Sequence, residues 1–151
     1  MIVVRVYGIL INEFNQILVS DEWIRGAKLT KFCGGGLEEG EGTIDCLKRE
    51  FLEEMNLKVE VVKHFYTTDF YQESAFREWD QILSIYYEVA PLENITARLT
   101  QHPFDFDEAQ IEIYKKTQQI ESFRFIHLSG FNEQCMTLPI DKLVASLIIQ
   151  K

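Results

Sequence analysis

Three consecutive glycines, Gly34-Gly35-Gly36, followed within a few residues by a run of apolar side chains at helical spacing, constrain this chain more than any other feature. From Thr43 to Asn56, the residues Ile44, Leu47, Phe51 and Met55 fall along one stripe, so the segment reads as a helix that buries one side. At ~100° per residue, Glu50 and Glu54 lie about 40° apart and Glu53 about 60° from Glu50. Three carboxylates therefore share one side of the helix, at the edge of the buried stripe and not opposite it. Like charges at i, i+4 destabilise an isolated helix, so something should compensate them. A hard divalent cation bound through oxygen would do so, and Mg²⁺ is the usual choice where phosphates complete its shell. Glycines just upstream let the backbone turn sharply and approach a ligand closely. Composition alone also allows a plainer reading, a glycine loop followed by a solvated acidic helix.

The charge is concentrated in the same place. The chain has 151 residues with 15 Lys+Arg against 24 Asp+Glu, a formal net charge of −9. Between Glu38 and Glu54, seven acids and two bases give −5 in 17 residues. Such acidity argues against a nucleic-acid polymer or an anionic membrane as partner, since both are met by basic surfaces. It does not argue against phosphates reached through a cation. The length fits one domain, taken as residues 1–151, and 46% hydrophobic content excludes a disordered chain. Cys33, Cys46 and Cys135 are odd in number and widely spaced, with no Cys-x-x-Cys, which speaks against a disulfide framework and for a reducing, cytoplasmic setting. Met1 to Ile11 is apolar but interrupted by Arg5, and reads as a strand and not a signal peptide.

Two β-rich runs, Ile2–Ile11 and Gln16–Ser20, flank Asn12-Glu13-Phe14-Asn15, and this spacing predicts a hairpin. After the helix, Leu57–Phe65 and Ile82–Ala90 read as strands, with an aromatic stretch between them (Phe70, Tyr71, Phe76, Trp79) that suggests an extended hairpin. Residues 91–119 give no clear pattern, and Asp107–Ile120 is compatible with a helix or a long loop. Phe123–Leu128 reads as a strand, and Pro139 suits the first turn of a final helix through Ile149. The expected class is α+β, a mixed sheet with helices against its faces.

The glycines form neither a dinucleotide fingerprint nor a phosphate loop, since Glu39 stands where G-x-G-x-x-G needs its last Gly and no Gly-Lys-Ser/Thr follows. Their spacing to the helix is specific in another way. Gly35, five residues, Glu41, seven residues, then Arg49-Glu50-Phe51-Leu52-Glu53-Glu54-Met55-Asn56-Leu57 resembles the Nudix box, G-x5-E-x7-R-E-U-x-E-E-x-G-U with U a bulky apolar residue. Each specified position matches except the last Gly, where Asn56 stands; Asn is the residue after Gly that most readily adopts the left-handed conformation ending a helix. A second departure is Cys33, where many members carry Pro.

The resemblance implies a Nudix hydrolase: an α/β/α sandwich with a mixed β-sheet between helices, using Mg²⁺ or Mn²⁺ to cleave a pyrophosphate bond in a nucleoside diphosphate derivative. It implies Glu50, Glu53 and Glu54 as metal ligands, aided by the carbonyl of Gly34 or Gly35. Arg49 would orient the carboxylates by pairing with Glu41 and Glu53, and Glu53 would deprotonate the attacking water. Many members draw a further Glu from downstream; Glu121 is the first candidate and Glu112 the second. Outside the box, the residues themselves leave two readings open: Arg5 on the first strand either reaches a phosphate or lies at the surface, and His127 on a late strand is either a structural or exposed residue or lines the pocket. Phe70 and Tyr71 would stack on a base, although such aromatic residues equally serve packing or a homodimer contact. The alternative to an enzyme is a binding module of the same fold that senses a nucleotide without cleaving it; such modules commonly lose box glutamates, and this chain keeps all of them.

Overall fold

A computed structural model describes residues 1–150. Among these the elements run β1 (Ile2–Leu10), β2 (Gln16–Ile24), β3 (Ala27–Lys31), β4 (Cys33–Gly36), α1 (Thr43–Met55), β5 (Val59–Thr67), β6 (Gln81–Pro91), β7 (Leu99–Thr100), α2 (Glu108–Thr117), β8 (Gln119–His127) and α3 (Pro139–Ile149). The class is α+β, with the strands in two four-stranded mixed sheets of order β4-β1-β6-β5 and β3-β2-β8-β7. Each sheet belongs to its own unit, the first made of residues 1–12 and 33–97, the second of residues 13–32 and the chain from residue 98 onward.

In the first unit, β1 pairs in parallel with β6 and antiparallel with β4, while β5 pairs antiparallel with β6. Val6 to Leu10 is buried without interruption, as a central strand covered on both faces requires. Against this sheet α1 buries Cys46, Leu47, Phe51 and Met55, the stripe that its sequence spacing lays out. Each large apolar side chain so buried stabilises the fold by roughly 1.5–3 kcal/mol. Two glycines on neighbouring strands set how closely the helix sits. A Cβ on Gly8 would lie 2.7 Å from the Phe51 ring, and one on Gly35 would lie 2.5 Å from the Glu50 carboxylate. The helix starts after Gly42 and stops at Asn56, which takes φ 51°, ψ 41° and donates its N–H to the Leu52 carbonyl at 3.0 Å. Asn56 thus performs the left-handed cap that glycine otherwise supplies.

The second unit pairs β2 antiparallel with both β3 and β8, and β7 in parallel with β8. Asp107 caps α2 by accepting the Gln110 N–H at 2.8 Å, and Pro139 sits in the first turn of α3. The last helix buries Ile140, Val144, Ala145 and Ile148.

Two expectations need correction. The runs flanking residues 12–15 do not form a hairpin, because β1 and β2 belong to different sheets. The hairpin lies one strand later, where Arg25 and Gly26, both at positive φ, join Ile24 to Ala27 in the two-residue turn that matches strand twist. Gly34–Gly36 is a strand and not a loop: it pairs with Arg5, Val6 and Tyr7, and a Cβ on Gly34 would collide with the Val6 carbonyl oxygen. The extended hairpin expected at the aromatic stretch is present: β5 and β6 pair antiparallel, and beyond them Thr68 N–H donates to the Ser84 carbonyl at 2.9 Å, Ile82 N–H to the Gln72 carbonyl at 2.8 Å and Ser74 N–H to the Asp80 carbonyl at 2.8 Å, with a bridge between Glu73 and Gln81. Among the described residues no helix is long and apolar enough to cross a membrane.

Candidate functional site

Seating α1 on β1 and β4 brings Arg49 into reach of the carboxylates around it. Its Nε and Nη2 donate to the two oxygens of Glu41 at 2.9 and 2.7 Å, a bidentate pairing that fixes the plane of the guanidinium. Nη1 donates to Glu50 Oε1 at 3.0 Å and to Glu53 Oε2 at 3.1 Å, and Nη2 also reaches the Gly36 carbonyl at 3.1 Å. Glu38 stands further out, at 3.7 Å, and its backbone N–H donates to Glu41 at 2.9 Å. One cation therefore orders Glu41, Glu50 and Glu53, and offsets part of the like-charge repulsion along the helix.

The electrostatics follow from these contacts. The hydrogen bonds from Arg49 hold the Glu41 carboxyl down at about 2, well below the usual carboxylate range, and the Arg49 guanidinium is held even more firmly in its charged form by Glu41. Burial, reinforced by Glu41, pushes the Cys46 thiol up to about 12. Cys46 thus stays a neutral thiol donating to the Gly36 carbonyl at 3.5 Å, and is no nucleophile. Glu50 is largely covered, whereas the Glu53 side chain is 59% exposed and open to water; Glu54 is half-buried one turn after Glu50.

The donor set suits a hard divalent cation. It consists of carboxylate oxygens and strand carbonyls, and the backbone of Gly35 lies against the Glu50 carboxylate with no room for a side chain between them. As the side chains stand, no three His, Cys, Asp or Glu among the described residues are gathered tightly enough to hold an ion, and Glu50 and Glu53 are hydrogen-bonded to Arg49.

The structure brings Gly34, Gly35, Glu41, Arg49, Glu50 and Glu53 into one place. Arg5 lies on β1 opposite Gly36 and donates from Nε to the Tyr7 hydroxyl at 2.5 Å. Phe70 and Tyr71 belong to the same unit, are exposed, and line a cleft of about 280 Å³. Glu121 and His127 lie on β8 of the second unit. Glu121 accepts a hydrogen bond from Ser20 at 2.6 Å and stands directly across from Glu22 on β2. His127 is exposed, and its Nδ1 accepts the Ser129 N–H at 3.1 Å, capping the turn that follows β8. Glu112 is exposed on α2 beside Lys115 at 3.0 Å.

Sequence reasoning missed the Gly36 carbonyl and Cys46 as neighbours of Arg49. Cys46 sits three residues before Arg49, the spacing that places two side chains together on a helix, so this contact could have been found.

Comparison with known proteins places these features in context. The sequence profile of the NUDIX domain matches residues 1–129. A MutT structure from work on the Aliivibrio salmonicida and Vibrio cholerae proteins is 17% identical, with 99% of this chain and 98% of that one covered and a TM-score of 0.64. A MutT NUDIX hydrolase from Burkholderia pseudomallei is 13% identical over 97% of both chains, at a TM-score of 0.65. An ADP-ribose pyrophosphatase from Streptococcus suis is 12% identical, with 99% of this chain and 92% of that one covered, at a TM-score of 0.59. At these identities the likeness is one of fold. Comparison with curated proteins returns no match.

Proposed function

The chain belongs to the Nudix hydrolase family, and from that premise we propose that it hydrolyses the pyrophosphate bond of a small nucleoside diphosphate derivative with the help of Mg²⁺ or Mn²⁺. The observation that carries this reading is the Arg49 cluster, in which a single guanidinium orders Glu41, Glu50 and Glu53 beside the glycine strand. Glu50, Glu53 and Glu54, with the Gly34 or Gly35 carbonyl, are the groups that would hold the cation. When bound, the cation neutralises the diphosphate and acidifies the attacking water.

The remaining roles belong to the protein's own side chains. Glu41 stays ionised and pins Arg49, so Arg49 positions the carboxylates without itself exchanging a proton. Glu53, exposed and within reach of solvent, is the proposed base that takes the proton of the attacking water. Arg5 is proposed to meet a substrate phosphate from β1. Glu121 is proposed as an additional base or ligand, with Ser20 fixing its carboxylate, and His127 as a pocket residue; Glu112, tied to Lys115, is the weaker of the two downstream candidates.

A panel of nucleoside triphosphates, nucleotide sugars and ADP-ribose, assayed for product with Mg²⁺, with Mn²⁺ and with chelator, tests the proposal. Chelator-sensitive hydrolysis of at least one substrate is expected. Tight binding of a nucleotide with no turnover on the whole panel would replace the enzyme by a sensor module.

A further inference from the structure

Strand β4 carries chemistry on both of its sides. Gly35 faces α1, where a Cβ would lie 2.5 Å from the Glu50 carboxylate. Successive residues of a strand point to opposite faces, so Gly36 and its partner across the pair, Arg5, face the other way. There a Cβ on Gly36 would lie 3.9 Å from Arg5 Nη1, so the guanidinium rests over the glycine. The carbonyl of the same residue accepts the Arg49 Nη2 hydrogen bond at 3.1 Å. Two such contacts through one glycine keep Arg5 Nη1 and Arg49 Nη2 within about 11 Å of each other.

In its sheet β4 is also the outermost strand. Along an antiparallel pair every second residue turns its N–H and C=O inward, and Leu37 does so by donating to the Val4 carbonyl at 2.9 Å. Gly35, two residues back, turns inward as well, and Gly34 and Gly36 turn outward. The bonds that Arg49 and Cys46 make to the Gly36 carbonyl agree with this. An anion held along the outer edge of β4 thus has the carboxylate cluster on one side of the strand and the Arg5 guanidinium on the other.

Arg5 is set in that place by Tyr7, two residues on and on the same face. Arg5 Nε donates to the Tyr7 hydroxyl at 2.5 Å, and the guanidinium carbon lies 5.6 Å from the centre of the ring. Tyr7 is itself immobilised: it is 4% exposed, and its ring stacks on that of the fully buried Tyr86, with centroids 5.3 Å apart. A fixed hydroxyl that takes Nε fixes the plane of the guanidinium, and with it the direction of both Nη groups. Phenylalanine would fill the same space but would not hold Arg5. Arg5 is half-buried, which leaves it open to an anion from water.

Resting on the function proposed above, we propose that Tyr7 is a positioning residue for substrate binding: it aims Arg5 at a phosphate lying along the outer edge of β4, next to the phosphate that the carboxylate cluster meets through its cation. The ligand chemistry is two linked phosphates, with charge-assisted bonds from Arg5 to the one further from the cluster. An arginine without such a hold loses rotamer entropy when it meets its anion. Here the rotamers are set before the substrate arrives.

Methylenediphosphonate, a pyrophosphate analogue that water does not cleave, separates binding from turnover. It is titrated calorimetrically, with Mg²⁺ in excess, into the full chain and into Arg5→Met, Tyr7→Phe and the double variant. Arg5→Met should weaken the analogue by about 10- to 100-fold, and Tyr7→Phe by about three- to tenfold. In the double variant Tyr7→Phe should weaken binding no further, because the group it holds is gone. A purely structural hydroxyl would instead change thermal stability and leave the affinity alone. For any nucleotide that the chain hydrolyses, KM should rise by the same factors, with a smaller change in kcat. Wild type that does not bind the analogue, an affinity unchanged in Tyr7→Phe, or two effects that multiply in the double variant each overturn the inference. Hydrolysis at an unchanged KM in all three variants also overturns it, and leaves the hydrolase reading standing. Binding with the coupled losses but no hydrolysis of any nucleotide supports the positioning role and counts against the hydrolase reading alone.

Discussion

Among the arginines that hold carboxylates, Arg124 and Arg49 do so in opposite ways. Arg124 in the second unit grips one acid, Asp21, with Nε–Oδ2 at 2.6 Å and Nη2–Oδ1 at 3.2 Å, and Thr30 donates to the same carboxylate at 2.6 Å. Asp21 is 0% exposed and its partners satisfy it. Arg49 in the first unit divides its donors among Glu41, Glu50 and Glu53, and leaves Glu53 in solvent. The first arrangement balances one charge with one charge and is closed. The second leaves an excess of negative charge on an accessible rim, which adds little to stability and makes sense as a place for a cation. A buried pair of this kind is a structural commitment; an over-supplied, half-exposed cluster is a chemical one.

Substitutions can break that contrast. The largest effect expected is on turnover. Glu53→Gln should lower the rate of substrate hydrolysis by about 10²–10⁴-fold, as loss of a general base does, with little change in thermal unfolding. A large loss of stability in this variant would erase the distinction between the two arginines. Asp21→Ala should do the reverse, lowering the free energy of unfolding in urea by roughly 3–5 kcal/mol because Arg124 is left uncompensated.

A smaller effect concerns acid. The folded Glu41 carboxyl sits at about 2, below its ordinary value near 4.5, so its ionised form stabilises the native state above that ordinary value. This contribution shrinks as pH falls from about 4.5 and is lost below about 2. Glu41→Gln should therefore flatten the pH dependence of stability across that window, measured by denaturant unfolding at several pH values; an unchanged acid limb would show that Arg49 does not hold Glu41 as described. The smallest effect is expected from Asn56→Gly, which restores the usual box residue at a left-handed cap and should raise stability by less than about 1 kcal/mol with turnover unchanged.

The parts of this molecule legible in its sequence are those whose partners lie close along the chain. Helix α1 is plain because its apolar residues repeat at one spacing, and Arg49 meets Glu53 one turn away. Strand β4 is hidden because Gly34–Gly36 have no side chains to alternate; only pairing with β1 reveals it. Helix α2 could not be told from a long loop for a different reason. Ile111 and Ile113 point to solvent and only Tyr114 is buried, so no apolar stripe marks it. The Asp21–Arg124 pair joins residues 103 positions apart and leaves no local signal at all. Phe70 and Tyr71 were visible as aromatic residues, but the hydrogen bond from Tyr66 to Asp69 just before them was not.

The most direct test of the account is a Mn²⁺ titration followed by electron paramagnetic resonance on the wild type, Glu50→Gln and Asp21→Asn. The account expects the wild type to bind Mn²⁺, Glu50→Gln to bind at least tenfold more weakly, and Asp21→Asn to keep the wild-type affinity in its folded fraction. Binding that is absent from the wild type, or that survives Glu50→Gln unchanged, would contradict it.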